Sequence, residues 1–230
     1  MNIFVTDPDP VKSAQVLPDK HIVKMPLETC QMLAIVASPE WGYNFGTLPK
    51  LDGTPYKTSK GAFRGHPCTI WAQTNWSWLI EHGLALCYEY THRYNKVHSY
   101  QTTMEHAVDI FPQQDGDPTS FAFAGPDEFK HDKTIDIFTA YKRYIASKPW
   151  AASNYLRDPS RKPDWVMTYF KQTCDKPYDR HHYKIVCQNK SFVVESWEQV
   201  KEWWWNNCHL PKFDAVVHVL DKPKKKPKGF

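Results

Sequence analysis

The stretch from Pro18 to Leu33 constrains the fold most, because its apolar and charged residues separate at helical spacing. Proline and a carboxylate suit the first turn of a helix, and Pro18 and Asp19 begin the stretch. Apolar residues then recur along one side of this helix, namely Ile22, Met25, Met32 and Leu33. Pro26 removes a hydrogen-bond donor inside the pattern, so we expect a kink or a break there. The stretch therefore predicts an amphipathic helix near the start of a mainly helical chain.

The opposite side of this helix carries charged residues that can act together. Lys20, Lys24 and Glu28 are four residues apart, and His21 lies three residues before Lys24. Two amines, an imidazole and a carboxylate could therefore meet on one wall, provided that the helix keeps its direction through Pro26. The alternative is a solvent-exposed helix face with ordinary ion pairs, which contribute little to stability.

The middle of the chain predicts further helices. Residues 38–65 are rich in Pro, Gly and Ser and predict a long loop. A pattern of apolar and aromatic residues at three- and four-residue spacing then runs from His66 to about His98. Shorter helical patterns follow at 99–111 and 134–148. We expect these helices to pack into one domain.

The pattern changes after the last of these helices. Apolar runs at 183–187 and 192–195 flank Asn189-Lys190, which predicts a β-hairpin, and a helix follows from Ser196. We therefore predict a mainly α fold class with three parts. These are a helical core domain at 1–170, a small C-terminal ββα extension at 171–221, and a basic, disordered tail at 222–230.

The positive charge of the chain is concentrated at its end. The net charge is +4, and the last ten residues carry five lysines and one aspartate, so the rest of the chain is neutral overall. A surface that binds nucleic acid must then come from local patches and from the tail, because the body of the protein is not basic.

Composition and motifs exclude several protein classes. The chain has only nine glycines and contains neither a P-loop nor the glycine motif of dinucleotide-binding proteins. No run of ~18 apolar residues predicts a membrane span, and the first residues do not form a signal peptide. The six cysteines contain no C-x-x-C pair, which favours reduced thiols and a cytoplasmic location.

A metal site is a weaker possibility in the extension. Cysteines and histidines cluster there, but their spacing matches no standard zinc pattern, so we predict no metal and no cofactor. The residues concerned are Cys174, His181, His182, Cys187, Cys208 and His209.

Several short motifs, in the order of these elements, resemble a known family. D-K-H-x-V-K-M at 19–25 begins the first long helix, G-H-P at 65–67 begins the aromatic helix, and K-P-x-W at 162–165 precedes Tyr169. Over about residues 2–170 this arrangement resembles the pyrimidine-dimer DNA glycosylases of the bacteriophage endonuclease V type. The first motif is more similar to a set of uncharacterised phage proteins.

The resemblance implies a mostly helical enzyme that flips or distorts DNA at a damaged pyrimidine. Such an enzyme attacks the sugar carbon C1′ with its N-terminal amine and forms an imine, assisted by a glutamate that basic residues flank on the first long helix. Here Lys20 and Lys24 correspond to the basic flanks. His21 takes the position of the carboxylate, and Glu28 is a displaced substitute. We predict proton transfer by His21 and charge stabilisation by Glu28.

A mechanism through an imine needs an amine that is partly uncharged near neutral pH. An α-amino group ordinarily has a pKa of ~7.7–8.0 and a lysine ~10.4, but two lysines one helical turn apart disfavour each other's charge. Proteins of the family have threonine after the initiator methionine, whereas Asn2 follows Met1 here, so we expect Met1 to be retained. We predict that Lys20 or Lys24 supplies the amine.

Two other segments carry candidate contacts to nucleic acid. Arg64 and His66 lie where the long loop meets a helix N-terminus, whose free N–H groups favour an anion, although His66 could instead cap that helix. A basic and aromatic segment ends the same helix, where cations can hold phosphates and tyrosines can stack bases. The alternative for these cations is an interaction with the helix dipole. The predicted contacts in this segment are Tyr90, Arg93, Tyr94, Lys96 and His98.

We predict an N-glycosylase/lyase that acts on a damaged or modified base, with DNA as its partner, no membrane association, and a location in the cytoplasm of a phage-infected host. Two alternatives belong to other classes. One is a non-catalytic nucleic-acid-binding phage accessory protein, and the other is an enzyme that acts on free nucleotides. The target base and the oligomeric state stay open.

Overall fold

A computed structural model describes most of the chain. It covers residues 1–41, 43–59, 62–118, 120–148, 150–173, 183–187, 190–194, 196–207 and 215–219, with the backbone only at 170–173, 197, 218 and 219. Within these residues nine α-helices and one three-stranded sheet are present, which confirms the mainly α fold class. The predicted basic tail at 222–230 lies outside the described residues.

Eight of these helices precede the sheet. They are α1 Pro10–Gln15, α2 Asp19–Ala37, α3 Pro67–Ala72, α4 Trp76–Tyr94, α5 Gln101–Ile110, α6 Asp127–Lys130, α7 Ile137–Ala146 and α8 Asp164–Thr173. Helix α4 packs against α1, α2 and α5, so it is the central element of the core. Gly83 allows this close packing, because a Cβ atom there would lie 2.8 Å from Cγ2 of Thr29 in α2 and 2.5 Å from Cε of Met104 in α5.

Helix α2 continues through Pro26, so the break considered from sequence does not occur. Both ends of the helix are held by hydrogen bonds. The Asp19 N–H donates to the Asn154 carbonyl at 2.8 Å, and the Ser38 hydroxyl donates to the Ile35 carbonyl at 2.7 Å. Most residues of α2 are buried, and this packing offsets the ~3 kcal/mol that an internal proline costs.

The single helix predicted from His66 to His98 is two helices, α3 and α4, separated by a turn at 73–75. The turn is stabilised by side chains. The Asn75 amide donates to the Trp71 carbonyl at 2.9 Å, and the Gln114 amide donates to the Thr74 carbonyl at 3.0 Å. Helix α4 then ends at Tyr94 and is capped by Asn95, whose φ of 53° lies in the left-handed region.

The predicted hairpin is present, and the sheet contains a third strand that the sequence did not predict. Strand β1 is Tyr183–Cys187 and β2 is Lys190–Val194, followed by α9 Trp197–Asn207 and β3 Val216–Val219. The strand order is β2-β1-β3, and both pairs are antiparallel. The extension is therefore ββαβ.

The extension has its own apolar cluster, which also includes residues from the helical part. Tyr183, Ile185, Val200 and Trp204 are buried in this cluster together with Ala152, Tyr155 and Val166. The boundary predicted at residue 170 therefore lies within α8, whose Val166 belongs to the same cluster.

Cys30, Cys68 and Cys87, three buried cysteines in the described part, are free thiols. No three potential ligand side chains come together within that part. Apart from Cys187, the residues that the sequence suggested as zinc ligands lie outside the described part of the chain. These are Cys174, His181, His182, Cys208 and His209. Among the described helices, none is both long and apolar enough to cross a membrane.

Candidate active site

The four predicted catalytic residues line one pocket. Lys20, His21, Lys24 and Glu28 extend from α2 into a cavity of about 380 Å³. The remaining lining comes from the start of the chain, from the core side of α2 and from the end of α7, namely Met1, Asn2, Phe4, Met25, Tyr144, Lys148 and Trp150. The pocket is thus formed by three segments that are far apart in the sequence.

Glu28 is the one carboxylate among the described lining residues, and two cations contact it. Its Oε1 lies 2.9 Å from Nζ of Lys24, and its Oε2 lies 3.8 Å from the amino nitrogen of Met1. The Glu28 side chain is 12% exposed, whereas that of Lys24 is 67% exposed. The carboxylate is therefore held at the base of the pocket, between an exposed amine and the amino terminus.

The start of the chain is fixed so that its amino group faces Glu28. The Met1 side chain is 3% exposed and its sulfur lies 4.0 Å from the Thr69 hydroxyl, yet the residue as a whole is only half-buried. The exposed part of Met1 is therefore its main chain. Asn2 orders the next residues, because its amide donates to the Ala124 carbonyl at 2.5 Å and its Oδ1 accepts the Ile3 N–H at 2.8 Å.

His21 forms an aromatic wall of the pocket. Its ring stacks on Phe4 with 4.1 Å between centroids and meets the edge of Trp150 at 5.5 Å. Burial, together with the positive charges of Lys148 and Lys24, lowers the pKa of His21 to about 3, so the imidazole is neutral at pH 7. This argues against proton transfer by His21 near neutral pH. Its buried Nδ1 has no hydrogen-bond partner among the described residues.

The rim of the pocket is cationic. Nζ of Lys20 lies 4.7 Å from the Trp150 ring centre, and Nζ of Lys148 lies 4.1 Å from that of Tyr144. Three lysines, the amino terminus and a single carboxylate thus line the pocket, and this excess of positive charge favours a ligand that carries phosphate. Lys148 was not predicted from sequence, because it follows the end of α7 and belongs to no periodic pattern.

Arg64 and His66 lie outside this lining. Arg64 donates to the Glu40 carbonyl at 2.9 Å and lies over the Trp41 ring at 5.4 Å. His66 caps α3 by accepting the Cys68 N–H at 3.2 Å, which is the alternative that the sequence left open. Burial lowers the pKa of His66, and the positive charge of the nearby amino terminus lowers it further.

The segment predicted to bind nucleic acid at the end of α4 is also separate from the pocket. Arg93 is fully buried and bonded to Asp19 and Glu89, which favours a structural role over a phosphate contact. The rings of Tyr90 and Tyr94 stack on each other with 4.5 Å between centroids. His98 donates from Nε2 to the Val23 carbonyl at 3.1 Å, and Lys96 is exposed.

A second and larger pocket adjoins the first at Met1, which lines both. Its volume is about 500 Å³. Helix α2 contributes one wall, and the loop that precedes α3 contributes another. The lining comprises Met1, Leu27, Gln31, Ile35, Lys50, Leu51, Asp52, Tyr56, Lys57, Ala62, Phe63 and Tyr100.

One known protein family matches the segment of the chain that contains the amino terminus, α2 and Glu28. Residues 1–102 match the family model described as pyrimidine dimer DNA glycosylase. This match confirms the resemblance found from the sequence motifs, over a little less than half of the chain. Lys148 and Trp150 lie beyond the segment matched to the glycosylase family.

A second family covers the other end of the chain. Residues 164–230 match a domain of unknown function (DUF7441), which includes α8 and the ββαβ extension. The residues between the glycosylase match and this domain, which form much of α5 to α7, belong to neither match. Neither the curated proteins nor the solved structures contain a match to this chain.

Proposed function

We propose that this protein is a DNA N-glycosylase/lyase whose nucleophile is an amine in the pocket on α2. One observation carries the proposal: the amino group of Met1 lies 3.8 Å from Glu28, within the segment that matches the glycosylase family. The activity for which that family is described supports DNA as the substrate and makes a pyrimidine dimer the first lesion to test. The reaction would take place in the cytoplasm of a phage-infected cell.

The proposed reaction begins when Glu28 accepts a proton from the neighbouring ammonium group. The lone pair of the freed amine then forms a bond to C1′ of the damaged nucleotide. The bond from C1′ to the base breaks, and its electron pair leaves with the base, which takes a proton from solvent. Glu28 releases the accepted proton to solvent, and its carboxylate then stabilises the positive charge that develops on the sugar in the transition state. The bound nitrogen next loses a second proton, and the bond from C1′ to the ring oxygen breaks with its electron pair on that oxygen, which takes a proton from solvent. The product is the protonated imine.

Two kinds of amine are available, and the geometry favours the amino group of Met1. An α-amino group is ordinarily closer to its neutral form at pH 7 than a lysine is. Lys24 is 67% exposed and extends to the rim of the pocket, whereas the start of the chain is held in place by Asn2. We therefore propose that Lys20, Lys24 and Lys148 hold the phosphates on either side of the nucleotide.

Borohydride trapping on a duplex with one natural abasic site tests this mechanism. Reduction converts an imine into a stable amine, so we expect a covalent protein–DNA adduct that peptide mapping assigns to Met1. Glu28→Gln should slow trapping by at least about 100-fold, because it removes the proton acceptor. Lys12→Ala is the matched control, since Lys12 is an exposed lysine on α1 outside the pocket.

Three outcomes separate the alternatives. Binding to DNA without an adduct at any pH between about 6 and 9 would contradict the amine mechanism and support a non-catalytic accessory protein. An adduct that maps to Lys20 or Lys24 would retain the reaction class and contradict the assignment to Met1. Stabilisation by free nucleotides in a thermal-shift screen, with no binding to DNA, would support the enzyme that acts on free nucleotides.

A further inference from the structure

The larger pocket carries one polar side chain in an otherwise apolar wall of α2. Leu27, Gln31 and Ile35 are four residues apart, so they share one face of the helix, and all three line this pocket. Gln31 is half-buried and is the polar member of this set. Its amide can both donate a hydrogen bond to a ligand in the pocket and accept one from it.

Aromatic side chains surround the same space. Tyr56 and Tyr100 line the pocket, and Phe63 stands at its mouth with 65% of its surface exposed. A large exposed aromatic side chain next to a pocket is a suitable platform for a flat ligand. Stacking of a nucleobase on an aromatic ring strengthens binding whichever base is presented, because every base has a flat face.

The position of Met1 between the two pockets suggests that one pocket takes the sugar and phosphates of a nucleotide and the other takes its base. Met1 lines both, with cations around the smaller pocket and apolar and aromatic groups around the larger one. A nucleotide whose C1′ is next to the amino group would direct its sugar and phosphates to the cations. Its base would then point to the larger pocket, where the charged part of the lining consists of Lys50, Asp52 and Lys57.

We propose that the larger pocket receives the base attached to the sugar under attack, and that Gln31 selects which base is accepted. The inference rests on the proposed glycosylase function and specifies its substrate recognition. An amide that pairs with the hydrogen-bonding edge of one base leaves its polar atoms unsatisfied with another, and a good pair of this kind discriminates between bases by roughly 5- to 150-fold in affinity. Moving the base out of the duplex costs less where it is damaged or unpaired.

Binding to duplexes that contain one unpaired nucleotide tests this proposal. Four duplexes of equal length carry a single bulged A, C, G or T, and a fully paired duplex serves as the reference. Wild type should bind one bulged base at least about tenfold more tightly than the poorest of the four. Gln31→Leu should reduce that range to about twofold, because leucine has a similar size and no hydrogen-bonding groups.

Two further variants keep the test decisive if Gln31→Leu folds poorly. Gln31→Glu replaces a donor and acceptor by an acceptor, so the preferred base should change. Phe63→Ala should weaken binding to all four bulged duplexes several-fold and leave the paired duplex unaffected, since Phe63 is exposed and its loss cannot disturb the core. Gln73→Leu is the matched control, because Gln73 lies outside both pockets and should retain the wild-type preference.

The results distinguish this inference from the proposed reaction. A wild-type protein that binds all four bulged bases equally would overturn the role of Gln31, as would a Gln31→Leu variant with an unchanged preference. Trapping of wild type on an abasic site, which has no base, reports on the reaction alone. An adduct without base preference therefore contradicts only the base pocket, and a preference without an adduct contradicts only the chemistry.

Discussion

His82 shows how burial alone sets the behaviour of a titratable residue. It lies on α4, 1% exposed, with its ring stacked 4.8 Å from that of Trp78. Neither ring nitrogen has a hydrogen-bond partner among the described residues. Burial lowers the pKa of His82 from 6.5 to about 3, so the folded protein holds the neutral imidazole at pH 7.

This low pKa predicts a loss of stability in acid. An unfolded chain binds a proton at His82 as the pH falls below about 6.5, whereas the folded chain does so only near pH 3. The stabilisation is therefore complete above about pH 6.5 and decreases toward pH 3. Between pH 7 and pH 5, His82 should contribute about 2 kcal/mol of the decrease in unfolding free energy. His82→Leu should remove that contribution, as urea denaturation at the two pH values would measure.

A matched histidine provides the control for this prediction. The side chain of His131 is 70% exposed, so His131→Leu should leave the difference between pH 7 and pH 5 unchanged. The contribution of His21, which is also buried and neutral, is the same in wild type and in both variants and cancels in the comparison. An equal acid-induced loss in wild type and His82→Leu would contradict the proposed role of burial.

At the scale of elements, one buried cluster joins the helices that support the site. The guanidinium of Arg93 on α4 donates to Glu89 at 2.8 Å and to Asp19 at 3.0 Å. It also donates to the Gln15 and Leu17 carbonyls at the end of α1. The other oxygen of Asp19 accepts the N–H groups of residues 156 and 157. The first turn of α2, which carries Lys20 and His21, is therefore fixed by contacts on its opposite side.

Removing Arg93 should be strongly destabilising. Arg93→Met leaves Asp19 and Glu89 with less compensation for their burial, and loss of one partner from a buried pair costs about 3–5 kcal/mol. Arg143→Met is the control, because Arg143 pairs with Asp132 while 30% exposed and should lose less than about 1 kcal/mol. Urea denaturation measures both changes. Similar losses in the two variants would show that the Arg93 cluster is no more important than a surface pair.

At the scale of the whole molecule, the net positive charge of the sequence comes from its C-terminal end, far along the chain from the candidate site. Residues 222–230 contain five lysines. If these residues contact phosphates, deleting them should reduce the slope of log K against log salt concentration by up to about 4, measured by fluorescence anisotropy with an undamaged duplex. Replacing the five lysines by glutamine preserves the length and should give the same reduction. A slope that stays unchanged in both variants would show that the tail does not bind DNA.

The sequence predicted those features that depend on neighbouring residues. Helical spacing on α2 indicated the wall formed by Lys20, His21, Lys24 and Glu28, and all four line one pocket. Alternating apolar residues and a turn signal indicated the hairpin of β1 and β2. Such patterns arise because one helix turn or one strand repeat decides which side chains share a face.

Features that depend on distant residues were not predictable in this way. Tertiary packing brings the amino group of Met1 close to Glu28 and places Lys148 in the lining of the same pocket, and nothing in their local sequence indicates this. Arg93 lies in a basic and aromatic segment that is typical of a surface phosphate contact. The residue is nevertheless buried, and it pairs with acidic side chains up to 74 residues away in the sequence. Strand β3 is four residues long and pairs with β1, although α9 lies between the two strands in the sequence. No short turn connects them, so no turn signal in the sequence indicates β3.

The burial of the Met1 thioether has a practical consequence for anyone who produces this protein. Because that side chain is held inside the core while the main chain emerges beside Glu28, any peptide fused ahead of Met1 would have to leave through the smaller pocket. A purification handle at that end would occupy the smaller pocket and convert the amino group into an amide, which the proposed reaction could not use. Assays of that reaction therefore need a handle at the opposite end, because a sample that retains an N-terminal leader would fail in them even when it is correctly folded.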